Sequence, residues 1–88
     1  MSQPLREPLE HLHNRLDEAN SEGAHPPLVT LQRDTGATLA HPDPHAALSA
    51  DPSFRTRLEE AVRRYEASHP NLTRAAQNLL DVLTANGL

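Results

Sequence analysis

The stretch RLEEAVRRYEASHPNLTRAAQNLLDVLTANGL, Arg57–Leu88, carries the strongest apolar periodicity in the chain. Its apolar positions follow one another at intervals of four and three residues, which is the rhythm of helices that pack side by side. These positions are Leu58, Val62, Tyr65, His69, Leu72, Ala76, Leu79 and Leu83. Glutamate precedes arginine by four residues at positions 59 and 63 and at positions 60 and 64, which favours an exposed helix face opposite the apolar one. The stretch therefore predicts amphipathic helices in a helical bundle.

A break interrupts this rhythm at Ser68-His69-Pro70-Asn71. Pro70 has no backbone N–H and disfavours helical angles at His69. In one interpretation a helix ends near Ala67 and the next begins with Pro70 at its first position, capped by Ser68 or His69. In the other, one long helix is kinked at Pro70, because the apolar phase continues through the break. Proline inside a helix costs roughly 3 kcal/mol, which favours two helices.

The segment YEASHPNLT, Tyr65–Thr73, with the amphipathic helix after it and the terminal Gly87-Leu88, resembles the C-terminal half of a bacterial family described as domain of unknown function (DUF) 4404. The resemblance is best over residues 58–88, and a leucine-rich opening extends it in part to residues 5–17. It implies a small bacterial helical protein. The family has no assigned activity, so the resemblance implies no functional residues.

Two further helices are predicted before this region. Leu5, Leu9, Leu12, Leu16 and Ala19 step by four and three residues and predict a helix over residues 5–20, with Gly23 available for a left-handed cap after it. Residues 27–40 can also form one apolar face, although glycine and three threonines lower the helix propensity there.

The run His41-Pro42-Asp43-Pro44-His45 contains two closely spaced prolines. We therefore expect a proline-rich internal loop over residues 41–51. The chain is then one small all-α domain, residues 1–88, in which three to four helices at about 5–20, 27–40, 52–67 and 70–86 pack in a bundle that resembles a coiled coil.

The size of the chain suggests self-association. A chain of 88 residues buries only about 60–65% of its unfolded surface, and Phe54 and Tyr65 are its only aromatic residues. The core must therefore consist mainly of leucine, valine and alanine. We expect a homo-oligomer that associates through the third and fourth helices, or a complex with another protein.

Charge and composition exclude several classes of protein. The formal net charge is −4 and every basic residue is arginine, which is unfavourable for nucleic-acid binding. The chain has no cysteine, and it contains neither a membrane-spanning apolar run nor a signal sequence. We therefore expect a cytoplasmic protein. The arginines at positions 55–64 form a solvated face or, alternatively, a surface onto which the acidic first helix docks.

No chemical motif emerges from the remaining residues. His11 and His13 are two apart on a helix and point in different directions, so they cannot chelate one metal ion together. His41 and His45 have a ligand-like interval but lack neighbouring ligands in a recognised pattern. Glycine-rich phosphate loops and partnered serine nucleophiles are also absent. We predict no catalytic, cofactor or metal site, and no enzyme.

Two functions are compatible with these observations. The favoured one is a small structural or protein-interaction module, and the alternative is a small-molecule-binding or regulatory protein with a site near His69 and Tyr65. We expect the ring of His69 to cap or pack beside the helix junction, hydrogen-bonded to the backbone or to Ser68. A pH-sensitive hinge is the alternative, because histidine titrates near neutrality. The candidate interaction or junction residues are Tyr65, Ser68, His69, Pro70, Leu72 and Leu79.

Overall fold

The computed structural model describes residues 4–88, and this part of the chain folds into five helices without a strand. The helices are α1 (Arg6–Glu22), α2 (Pro26–Ala40), α3 (Pro44–Ser49), α4 (Ser53–Tyr65) and α5 (Pro70–Ala85). The predicted all-α class is confirmed, including the helix predicted over residues 27–40. None of these helices combines the length and the apolar character needed to cross a membrane.

The four longer helices form a bundle with extents of 36 × 21 × 20 Å. α1 packs mainly against α2 and α5, while α4 packs against α5 and more lightly against α2. The short α3 lies in the connection from α2 to α4. α1 and α4 lie diagonally across the bundle. One interpretation expected the acidic first helix to dock onto the arginine-rich helix, and the structure shows that it does not.

The core is made almost entirely of leucine and alanine, as the composition requires. Every long helix contributes residues from its apolar stripe, and none of these side chains is more than 8% exposed. The buried apolar residues are Leu5, Leu9, Leu12, Leu16, Ala19, Leu28, Leu31, Leu48, Phe54, Leu58, Ala61, Val62, Tyr65, Leu72, Ala75, Ala76, Leu79 and Leu83. The leucine stripe of α4 and α5 is thus covered inside a single chain.

α4 and α5 are separate helices, so the kinked-helix interpretation is wrong. α4 ends at Tyr65, residues 66–68 form a turn, and α5 begins at Pro70. His69 is the N-cap of α5, with φ −135° and ψ 68°, and its N–H donates to the Tyr65 carbonyl at 2.8 Å. Pro70 occupies the first helical position, where its missing N–H removes no helical hydrogen bond.

The start of α1 shows the same tolerance for proline. The helix begins at Arg6, and the first bond runs from the N–H of Leu9 to the carbonyl of Leu5 at 3.1 Å. Pro8 therefore lies in the first turn, where N–H groups have no helical partner. At the other end, Gly23 has φ 177°, which is extended backbone, so the left-handed cap predicted there is wrong.

The loop prediction for residues 41–51 is wrong over its central part, because α3 occupies residues 44–49. Pro44 is compatible with helix since it takes the first position, and the Asp43 carboxylate accepts a hydrogen bond from the Ala46 N–H at 3.3 Å. Leu48 is only 6% exposed and anchors the short helix to the core.

Arg57 joins three parts of the bundle. Its Nη2 lies 2.8 Å from Asp34 on α2 and 3.0 Å from Asp51 in the connection before α4. The Arg57 guanidinium and the Ser53 hydroxyl donate hydrogen bonds to Asp51, which lowers the pKa of that carboxyl. The carboxylate of Asp51 in turn raises the pKa of Arg57. Within residues 4–88, Glu59 pairs with Arg55 at 3.8 Å rather than with Arg63 as its spacing allowed.

Candidate functional site

Two His-Pro dipeptides meet at one end of the bundle. His25 and His69 are the N-caps of α2 and α5, and each precedes a proline at the first helical position. Their ring centroids are 6.0 Å apart in an edge-on arrangement. The Tyr65 ring lies 5.5 Å from His25 and 5.9 Å from His69. We call these three residues the junction cluster.

The junction cluster is held by packing and not by hydrogen bonds. Tyr65 is 7% exposed, His69 is half-buried and His25 is exposed. Among the described residues, no side-chain hydrogen bond involves any of the three, and His69 makes no side-chain cap bond. The His69 ring lies beside the junction, 5.9 Å from the Tyr65 ring, and the predicted hydrogen bond to the backbone or to Ser68 is not formed.

A shallow pocket of about 170 Å³ adjoins the cluster between α1 and the start of α5. Of the candidate residues, Ser68, His69, Pro70 and Leu72 line it. On the α1 side, Arg15 and Glu18 form an ion pair at 3.1 Å. Pockets that enclose small ligands usually measure about 300–1,000 Å³. This open pocket is smaller, so the geometry gives little support to the small-molecule alternative.

Leu79 does not belong to the junction. It is 0% exposed and lies in the core, so it can contact neither a ligand nor a partner without unfolding of the helix. The next residue, Leu80, is half-buried and packs only against the edge of the core. The selection of Leu79 as an interaction residue rested on the apolar stripe, and that stripe faces inward.

A second surface lies on the outside of α4 and α5. Arg55 of α4 donates to the Thr84 hydroxyl of α5 at 2.9 Å, so these two side chains lie on the same outer side of the helix pair. Leu80 precedes Thr84 by one turn and is therefore on the same side of α5. Arg63 follows Arg55 by about two turns on α4. We call Arg55, Glu59, Arg63, Leu80, Asp81 and Thr84 the outer α4/α5 face.

The histidines do not converge on a metal site. In the part of the chain that the structure describes, no three histidine, aspartate or glutamate side chains are placed to hold one ion. His11 is exposed, whereas His13 turns toward α2 and contacts Thr35. The two side chains point in different directions, as their spacing on the helix predicted.

Comparison with known protein families identifies a matching family model. The family model described as "Domain of unknown function (DUF4404)" matches residues 5–88. The match includes the middle of the chain, where the resemblance seen in the sequence was weakest. No curated protein matches the chain, and no solved structure does.

Proposed function

The chain belongs to the DUF4404 family, which carries no assigned activity, and from that premise we propose that it is a small structural protein that self-associates. The proposed interface is the outer α4/α5 face, and the proposed partner is a second copy of the chain. This keeps the association on the helices that the sequence indicated but moves it from the inward stripe to the outward side.

The observation that carries the proposal is a half-buried leucine, Leu80, on a face that also bears Arg63 and Asp81, two charges without an ion-pair partner within residues 4–88. Leu80 is a half-buried leucine at the edge of the core. Asp81 follows it directly, and Arg63 lies on the same side of α4 as Arg55 and Glu59. Both charged side chains are exposed, and neither forms an ion pair within residues 4–88. A leucine flanked by opposite charges can match a copy of itself.

A two-fold axis near Leu80 makes the face self-complementary. Rotation about it places Leu80 against its counterpart and brings Arg63 of one copy toward Asp81 of the other. Each contact then occurs twice: Arg63 of the first copy faces Asp81 of the second, and Asp81 of the first faces Arg63 of the second. A two-fold interface requires this reciprocity. Interfacial charges of this kind set orientation more than affinity.

The dimensions of the bundle favour a long side over an end. A specific interface usually buries about 800 Å² per partner. The side of the bundle measures 36 by about 21 Å, whereas the end that bears the junction cluster measures 21 by 20 Å. Only the side offers an area comparable to that of a standard interface.

The test is light scattering over a dilution series with two matched variants. We expect the wild type to form a dimer that dissociates on dilution, and Leu80→Glu to shift it to monomer with unchanged helical circular dichroism. Val29→Glu is the control, because Val29 is a half-buried apolar residue on α2, away from this face. A wild type that stays monomeric at high micromolar concentration contradicts the proposal, as does equal dissociation by both variants.

The other functional predictions made from the sequence are part of the same proposal. We propose that the protein is bacterial and cytoplasmic, has no enzymatic activity of its own and does not bind nucleic acid. The acidic balance of the chain and its lack of a basic stretch support the last of these.

A further inference from the structure

His13 takes part in a hydrogen-bond chain between α1 and α2. Its Nδ1 lies 2.8 Å from the Thr35 hydroxyl, and that hydroxyl lies 3.1 Å from the carbonyl oxygen of Gln32, to which it donates. Thr35 is 0% exposed, so its hydroxyl has no access to water as a substitute partner. The backbone of α2 thus holds the buried end of this hydrogen-bond chain.

This chain of hydrogen bonds favours one tautomer of the His13 ring. A threonine hydroxyl has a single proton, and the Gln32 carbonyl takes it. Both hydrogen bonds are satisfied together when the His13 Nδ1 carries the proton in the bond between His13 and Thr35. In the neutral ring, the lone pair is consequently held on Nε2. His11 is exposed and makes no such bond among the described residues.

Gly36 allows the ring to lie against α2. A Cβ atom at position 36 would come within 3.3 Å of the His13 Cε1 and 3.9 Å of its Nδ1. This edge of the ring therefore packs on the glycine backbone. The ring borders an open groove of about 400 Å³ between α1 and α2, which Arg33 also lines. Arg33 is exposed and has no ion pair in the described chain.

We propose that His13 is a phosphoryl-accepting histidine. A nucleophilic lone pair beside a free guanidinium fits an electrophile that carries negative charge, and a phosphoryl group has both properties. The donor class is an acyl phosphate. The Nε2 lone pair forms the N–P bond, the P–O bond to the acyl oxygen breaks, and the carboxylate leaves with that electron pair. The Nδ1 proton stays in its bond to Thr35, and Arg33 pairs with the phosphoryl oxygens.

Two carboxylates of α1 lie within about one turn of His13 and set a requirement for Arg33. Glu10 and Asp17 are both exposed, and Asp17 accepts a hydrogen bond from the Gln32 side chain at 3.1 Å. Their repulsion of a phosphoryl group is weakened by solvent and salt but not removed. The guanidinium is therefore the group on which acceptance of the phosphoryl group depends. This role is independent of the outer α4/α5 face, which lies on the other side of the bundle.

The first readout is the tautomer. We expect ¹⁵N NMR of the neutral protein to show the His13 proton on Nδ1, and Thr35→Val to release this preference while Thr35→Ser retains it. A His13 ring protonated on Nε2 in the wild type overturns the proposal. This readout depends neither on a phosphoryl donor nor on oligomeric state.

The second readout is modification by acetyl phosphate, followed by ³¹P NMR and peptide mass spectrometry under conditions that preserve phosphohistidine. We expect modification at His13 in preference to the exposed His11, His25, His41 and His45. We expect Arg33→Ala to slow it by roughly tenfold, less than the loss of a donor in a water-excluded site, because this guanidinium is exposed. We expect His11→Gln to leave it unchanged. Equal modification of all exposed histidines, or an unchanged rate in Arg33→Ala, overturns the proposal.

Discussion

Leu79 and Leu80 are neighbours in sequence, yet their side chains lie in different environments. Leu79 is 0% exposed at the centre of the bundle, whereas Leu80 is half-buried at the edge of the core on the outer α4/α5 face. One residue along a helix rotates the side chain by about 100°, which suffices to pass from the core to its rim. Substitutions at the two leucines therefore test folding and the proposed association separately.

We predict that Leu79→Ala is strongly destabilising and Leu80→Ala only mildly so. Removing a fully buried leucine side chain costs about 2–5 kcal/mol, because the contacts are lost and a cavity remains. At the half-buried Leu80, folding removes less apolar surface from water, so the loss should stay below about 1.5 kcal/mol. Urea denaturation at a fixed low protein concentration measures both. Equal losses would mean that the two side chains share one environment.

The ring of Tyr65 should matter more than its hydroxyl. The hydroxyl has no hydrogen-bond partner among the described residues, so we expect Tyr65→Phe to change the free energy of unfolding by less than about 0.5 kcal/mol. Tyr65→Ala removes a buried ring from a residue that is only 7% exposed. This change should cost about 3 kcal/mol or more. Thermal and urea denaturation of the two variants provide the comparison. A large loss in Tyr65→Phe would show that the hydroxyl is bonded.

The hydrogen bond between Arg57 and Asp51 should make the free energy of unfolding depend on pH in the acidic range. The pKa of Asp51 is lowered in the folded chain from the ordinary value of 3.8, chiefly by the hydrogen bond from Arg57. A group with a depressed pKa stabilises the folded state above its unfolded pKa, and this contribution is lost as the pH falls through the folded pKa. We therefore expect wild type to exceed Asp51→Asn in stability at pH 7 and this advantage to shrink below pH 3.8.

The size of that advantage should be about 1 kcal/mol or less, because the Asp51 side chain is 42% exposed and solvent weakens the pair. Urea denaturation of both proteins from pH 7 downward is the measurement. Asp43→Asn is a suitable control, since the Asp43 carboxylate likewise precedes a helix and accepts a hydrogen bond but has no arginine partner in residues 4–88. A difference between wild type and Asp51→Asn that stays constant down to the lowest pH would contradict the assignment.

The helices that carry long apolar stripes were predictable from the sequence, and α3 was not. Over Leu58–Leu83 the spacing of four and three residues determines which side chains enter the core, and Pro70 marks the start of α5 because only a helix start tolerates it. Pro44 carries the same signal, but Pro42 precedes it by only two residues, and two prolines so close together indicate a loop. The Asp43 cap and the single anchor Leu48 are too short a pattern to show periodicity.

The junction cluster was predictable only in part. Tyr65 and His69 are four residues apart and flank the break, so their proximity follows from the local sequence. His25 is 40 residues earlier than Tyr65, and its place beside them results from the way α2 and α5 both begin at this end of the bundle. The bond between His13 and Thr35 likewise depends on how α1 and α2 pack, which their separate periodicities do not specify.

The cap of α3 should be measurable as a local effect. Asp43→Ala removes the side-chain acceptor for the Ala46 N–H, and loss of such a cap typically costs about 1 kcal/mol. Because α3 is short and lies outside the four-helix core, we expect faster amide hydrogen exchange over residues 44–49 with little change in the long helices. Uniformly faster exchange in all helices would mean that α3 is part of the central folding unit.

The central claim, association through the outer α4/α5 face, is tested most directly by a charge exchange at Arg63 and Asp81. Sedimentation equilibrium distinguishes a dimer from the 9.7 kDa monomer. We predict that Arg63→Asp and Asp81→Arg each raise the monomer fraction, because each places like charges opposite one another across the two-fold axis, and that the double variant restores the dimer. A wild type that remains monomeric, or a double variant no more dimeric than the single ones, would contradict the account.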